Sequence, residues 1–110
     1  MEKWSQDEKK CPISFTLSVL GGRWKWLILY KLYIFNKLRY SELKKVIPSI
    51  NYKMLSQELK ELTEHNLIIR EVVGEVPPKV EYSLSNDGKT VIPLLIAMSN
   101  WGSEHNKIYK

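Results

Sequence analysis

REVVGEVPPKVEYSLS, Arg70 to Ser85, is the stretch on which the fold turns. Apolar residues mostly alternate with polar ones on both sides of Pro77-Pro78, so a strand pattern is interrupted and then resumed. Proline has no backbone N–H to give a neighbouring strand and is tolerated at hairpin tips and sheet edges. The pattern therefore predicts two strands, LIIREVV from Leu67 and KVEYSLS from Lys79, joined by a tip over Gly74 to Pro78. In the second strand Val80, Tyr82 and Leu84 share one face, with Glu81 and Ser83 on the other. In the first strand both faces are partly apolar, and the pattern does not choose between them. The proline pair stiffens the tip toward polyproline II and lowers its entropy when free.

What precedes the hairpin gives it a meaning. Ser41 is a candidate N-cap for a short helix, ELKKVI, which Pro48 ends. Ser49-Ile50-Asn51 is a tight turn, and Asn51 is placed to cap a longer helix, YKMLSQELKELTEHN. A short helix, a tight turn and a longer amphipathic helix form a helix-turn-helix, and the exposed hairpin after it reads as a wing. On the wheel from Tyr52 to Glu64, Leu55, Leu59 and Leu62 form the inward stripe. Lys53, Gln57, Lys60 and Glu64 occupy the opposite face, with Ser56 on its flank.

Such a helix places its N-terminal half in a DNA major groove. Gln57 is then the candidate reader of adenine, Lys53 and Lys60 reach guanine or phosphate, and Ser56 contacts either. Asn51 and Tyr52 stand at the helix start, which favours a phosphate. Lys37, Arg39, Lys44 and Lys45 flank the motif as candidate phosphate clamps. Arg70, Pro77, Pro78 and Lys79 belong to the wing, where a DNA backbone or minor groove would pass. Glu58, Glu61 and Glu64 are expected to weaken the positive field toward the C-terminal half. The competing reading is a solvated helix face with ordinary surface charge.

The remaining elements are helical. Cys11-Pro12 opens a first helix, ISFTLSVL, which Gly21-Gly22 ends. RWKWLILYKLYIF predicts a mostly buried helix with Trp24, Leu27, Ile28 and Leu32 on one stripe. Leu38 to Tyr40 reads as a short extended piece. Ser85 is the candidate cap of a last helix from about Asn86 to about Gly102, in which Gly88 and Pro93 predict a kink or a loose first turn.

The expectation is one domain over residues 1–110, mainly α with a small β-hairpin wing. The helix-turn-helix covers about 41–64, the wing about 67–84 and the C-terminal helix about 86–102. Composition agrees: the 110 residues are 44% apolar and 26% charged, with 17 Lys and Arg against 12 Asp and Glu, a net charge of +5. That excess suits a polyanion such as nucleic acid, although it also serves solubility.

A single cysteine excludes an internal disulfide. MEKWSQDEKK lacks the apolar core of an export signal, and the longest apolar run, Val91 to Met98, is too short to span a bilayer. The chain is expected in the cytoplasm, away from membranes. His65 and His105 are the only histidines and lie in no motif with a nucleophile or acid pair, so an enzyme is not expected. Gly21-Gly22 lacks the rest of a nucleotide fingerprint, and no metal or other cofactor is implied.

These pieces together resemble the HxlR-type winged helix-turn-helix regulators of bacteria. The resemblance rests on CP at Cys11-Pro12, LGGRW at Leu20–Trp24, LRYSELKKVIPSIN at Leu38–Asn51, MLSQELKEL at Met54–Leu62, VPPKVEYSLSNDG at Val76–Gly88, and Trp101. It spans nearly the whole chain and implies a homodimer joined through its terminal helices on a pseudo-palindromic operator. The recognition-helix role passes to Tyr52 through Lys60, and the wing role to Pro77, Pro78 and Lys79. The short loop GEVPPK limits minor-groove reach.

A broad apolar surface on the last helix is compatible with that dimer. Trp4, Ile92, Leu94, Leu95, Met98 and Trp101 are the interface candidates, the alternative being that they fill the protomer's own core. Cys11 sits at the positive end of the first helix, and some members of the resembled family sense oxidants or electrophiles through a cysteine at the matching position. The alternative is a small buried residue with no redox role. A small-molecule inducer between the dimer helices would be a further partner. The reading that results is a dimeric regulator of transcription on double-stranded DNA, with repression the simplest mode for a lone compact domain. Its rivals are a winged helix used as a protein-interaction module or for RNA.

Overall fold

The computed structural model describes residues 11–107. In chain order it contains α1 (Pro12–Leu20), α2 (Lys25–Phe35), β1 (Lys37–Arg39), α3 (Tyr40–Val46), α4 (Tyr52–Glu64), β2 (Ile68–Val73), β3 (Lys79–Leu84) and α5 (Asn86–His105). The chain is mainly helical, with a three-stranded antiparallel sheet in the order β1-β3-β2.

The hairpin pairs as the alternation requires, from Ile68 opposite Leu84 to Val73 opposite Lys79. Its tip turns at Gly74, whose φ of +79° suits a residue without Cβ. The short extended piece after α2 is a third strand. Leu38 pairs with Tyr82 and Arg39 with Glu81. Three residues carry too little alternation to announce a strand, and only the presence of β3 makes it one.

The core gathers one stripe from each helix onto the inner face of the sheet. Ile28, Leu29 and Leu32 of α2 are buried against Leu43, Leu55, Leu59 and Leu62 of the helix-turn-helix. Leu38, Ile68 and Tyr82 close it from the sheet, and Ile92 and Leu95 from α5. Helix α2 is less enclosed than its composition suggests. Trp24, Ile28 and Leu32 are buried and Leu27 is half-buried, but Trp26, Tyr33, Ile34 and Phe35 stay open to solvent.

Two helix starts repay a closer look. Helix α3 begins one residue before the expected cap. The Arg39 N–H donates to Glu42 Oε1 at 2.8 Å, and Ser41 lies inside the first turn. Pairing with β3 holds Arg39 extended, and Glu42 three residues on then satisfies its free N–H, as in a capping box. Ser85 does cap α5. Its hydroxyl accepts from the Gly88 N–H at 2.9 Å and donates to the Asn66 carbonyl at 2.6 Å, tying α5 to the end of α4. Helix α5 continues through Pro93 to His105. The burial of Ile92 and Leu95 on either side of Pro93 holds it in place against one missing hydrogen bond. Among the described residues no helix is long and apolar enough to cross a membrane.

Candidate nucleic-acid interface

Helix α4 divides as its wheel requires, with one exception. Leu55, Leu59 and Leu62 are buried, while Tyr52, Lys53, Ser56, Gln57, Lys60 and Glu64 are exposed. Asn51 Oδ1 accepts from the Met54 N–H at 2.8 Å, so this residue caps the helix. The exception is Glu58, which is 8% exposed. Its Oε2 lies 2.7 Å from Lys25 Nζ and has no neutral hydrogen-bond partner, so the ion pair is its whole compensation.

The same ammonium lies 2.6 Å from Glu61 Oε1. Burial alone would push Lys25 down. The hydrogen bonds to Glu58 and Glu61, with their charges, outweigh it and hold the ammonium above its ordinary value. Glu61 is held below the usual carboxylate range, first by the Gln57 amide and then by Lys25. Two of the three carboxylates expected to weaken the positive field are thus tied up by Lys25, and Glu64 remains.

A residue missed by the sequence reading joins the two helices of the motif. The Tyr40 hydroxyl lies 3.0 Å from the Tyr52 carbonyl and 2.8 Å from Ser56 Oγ, and its ring stacks on Tyr52 with centroids 5.9 Å apart. Lys44 sits 5.4 Å over the Tyr52 ring and donates to the Pro48 carbonyl at 2.9 Å. Tyr52, Ser56 and Lys44 are therefore held from within the motif. Nothing periodic links Tyr40 to Tyr52, so no sequence signal would have found this pair.

The fold separates the remaining cations. Arg70 pairs with Tyr82 in the sheet and lines a groove of about 340 Å³ between α4 and the wing, together with Tyr40, Ser56, Lys60 and Glu64. Lys60 and Arg70, ten positions apart in sequence, thus border one groove. Lys37 and Arg39 do not join them. Leu38 between them points into the core, so strand alternation sends both to the opposite face of the sheet. There Arg39 stands across from Glu81, and Lys37 Nζ lies 3.9 Å from Glu71. Pro77, Pro78 and Lys79 are exposed at the tip with Val76, and Lys45 is exposed on α3.

Away from this surface, α5 uses its apolar residues in two ways. Ile92 and Leu95 are each 5% exposed and belong to the chain's own core. Leu94, Met98 and Trp101 face outward, as do Ile13, Phe15 and Leu17 of α1. The helical period separates the two sets. Trp101 stacks on His105 at 4.1 Å. Trp4 lies outside the described residues. Cys11 is half-buried at the N-cap of α1.

A helix-turn-helix with an exposed polar helix face and a flanking hairpin defines a winged helix-turn-helix domain. The HxlR-like helix-turn-helix family model matches residues 19–109, and the chain belongs to that family. It is 49% identical over 94 residues to the HTH-type transcriptional regulator YdzF of Bacillus subtilis (strain 168), covering 86% of each chain. Among solved structures it is similar to the redox regulator HypR in its reduced form, at a TM-score of 0.83 and 40% identity, covering 90% of this chain and 97% of that one. The reduced form of the transcriptional regulator YodB from B. subtilis follows at a TM-score of 0.77 and 34% identity, covering 88% and 95%. The protein is a transcriptional regulator of the helix-turn-helix class and not an enzyme.

Proposed function

We propose that the protein is a repressor that binds a pseudo-palindromic operator as a homodimer and is released when Cys11 is modified by an oxidant or electrophile. The observation that carries the DNA reading is the shared groove of Lys60 and Arg70, with Lys53 and Gln57 exposed on the same helix and Lys79 at the wing tip. Helix α4 enters the major groove, Arg70 holds phosphate beside it, and the wing follows the backbone. The open apolar residues of α1 and α5 favour a second copy, since a protomer this small leaves them in water at a cost. Two such protomers place their α4 helices about 34–36 Å apart, one DNA turn. Redox control draws on the similarity to HypR, a redox regulator, together with a cysteine at the start of α1.

The test is fluorescence anisotropy against the DNA upstream of the protein's own gene and against random duplex, over a range of salt. Binding that resists random competitor and falls steeply with salt supports a sequence-specific regulator. Binding absent even at low salt overturns the reading and leaves the winged helix as a protein-interaction module.

A further inference from the structure

We propose that the groove between α2 and α5 is a binding site for a small aliphatic monocarboxylate. It holds about 700 Å³, within the roughly 300–1,000 Å³ of ligand sites. The end of α2 forms one wall, the first half of α5 forms the other, and residues of β1 and β3 close it. It shares no residue with the groove of Lys60 and Arg70.

The walls are aliphatic, with Leu32, Leu84, Ile92, Pro93 and Ile96 lining the groove. Ile96 is 38% exposed there, so the core does not account for it. The proposed dimer does not account for it either. Lys89, Pro93 and Ile96 follow one stripe of α5 at i, i+4 and i+7, and Leu94, Met98 and Trp101 follow another. The two stripes are offset by five positions, about 140° around a helix of 3.6 residues per turn. A second copy seated on the outward stripe leaves the groove open.

The polar lining selects the head of the ligand. Lys37 and Lys89 both line the groove, and no Asp or Glu does. Among the described residues Lys89 makes no ion pair, and Lys37 reaches only Glu71, at 3.9 Å with both side chains more than half exposed. So loose a pair is weak and leaves the ammonium available. Two lysines against one glutamate leave one positive charge, which suits a monoanion. An ammonium has only donors and a carboxylate only acceptors, so the head is satisfied while the tail covers Ile96 from water.

The experiment is isothermal titration calorimetry of n-octanoate into the full-length protein, with 1-octanol and n-octyl phosphate as comparisons. One octanoate should bind per chain. Octanol, which has the tail without the charge, should bind roughly tenfold more weakly. Lys37→Gln/Lys89→Gln should weaken octanoate by the same roughly tenfold and leave octanol unchanged. Ile96→Asp should abolish binding of both. All three positions are exposed, so the variants keep the fold. A wild type that does not bind octanoate overturns the proposal, as does a double lysine variant that binds it equally well. Tighter binding of octyl phosphate than of octanoate overturns the carboxylate assignment. An Ile96→Asp protein that sediments as a monomer where the wild type is a dimer gives the groove to a second copy and overturns the site. No arm uses DNA, so these outcomes are separate from the failure of the operator reading.

Discussion

Gly88 lies against the carbonyl of Leu67 so closely that a Cβ at position 88 would come within 2.0 Å of that oxygen. The same carbonyl accepts from the Ser85 N–H at 3.0 Å, and Ser85 caps α5 through the Gly88 N–H. The first turn of α5 is thereby set directly on the entry to the wing. Gly88→Ala should destabilise the fold by about 3 kcal/mol, since backbone must move on both sides. Urea unfolding checks this, and a loss under about 0.5 kcal/mol, the scale of an ordinary surface change, would show that the contact relaxes freely.

Lys25 gives a second stability prediction. Lys25→Met strands the Glu58 carboxylate in the core and should cost about 3 kcal/mol. Adding Glu58→Leu should restore most of it, because an apolar pair needs no compensation. Double-mutant analysis by urea midpoint measures the coupling, and additive losses would show that the pair is not coupled.

Glu61 predicts a pH dependence with a definite sign. Its folded-state carboxyl is held low by Gln57 and Lys25, so its contribution is present above the ordinary value of 4.5 and lost as pH falls through the folded value. The stability gap between wild type and Glu61→Gln should be open at pH 7 and close on acidification below 4.5. Thermal melts across that range test it, and a gap that widens in acid would have the wrong sign.

The two faces of the sheet predict different DNA phenotypes for two arginines. Arg70→Ala should weaken binding to all duplexes and reduce the salt slope by about 0.9, the loss of one phosphate contact. Arg39→Ala should leave both nearly unchanged, since Arg39 stands opposite Glu81 on the far face. Equal losses from the two substitutions would place both faces on DNA.

The outward residues of α5 predict the effect of breaking the proposed dimer. Trp101→Asp alters a side chain that is 65% exposed and should leave the protomer folded while shifting it to monomer. Operator affinity should then fall at least tenfold, as the two half-sites lose their linkage. Sedimentation and anisotropy on the same samples check both parts.

Cys11→Ser should bind operator as the wild type does but resist release by diamide. Release that persists in the variant would remove Cys11 from the sensing step.

Patterns local in sequence determined much of this protein. Pro77-Pro78 between alternating runs specified the wing, Asn51 and Ser85 specified their helix starts, and the Leu55, Leu59 and Leu62 stripe oriented α4. Each depends on backbone chemistry or on a helical or strand period that a reader can follow along the chain. Tertiary structure alone decided which chemically similar residues meet. Lys37 and Arg39 look as suitable for phosphate as Arg70, yet the inward turn of Leu38 places them on the other face of the sheet. Glu58 looks like a solvated acid, but Lys25 reaches it from another helix. Ile92 and Leu95 are as apolar as Met98, and the rotation of α5 against α2 and the sheet assigns them to the core. A charge or an apolar side chain states what it can bind, whereas its partner is set by contacts between segments distant in sequence, which periodicity does not encode.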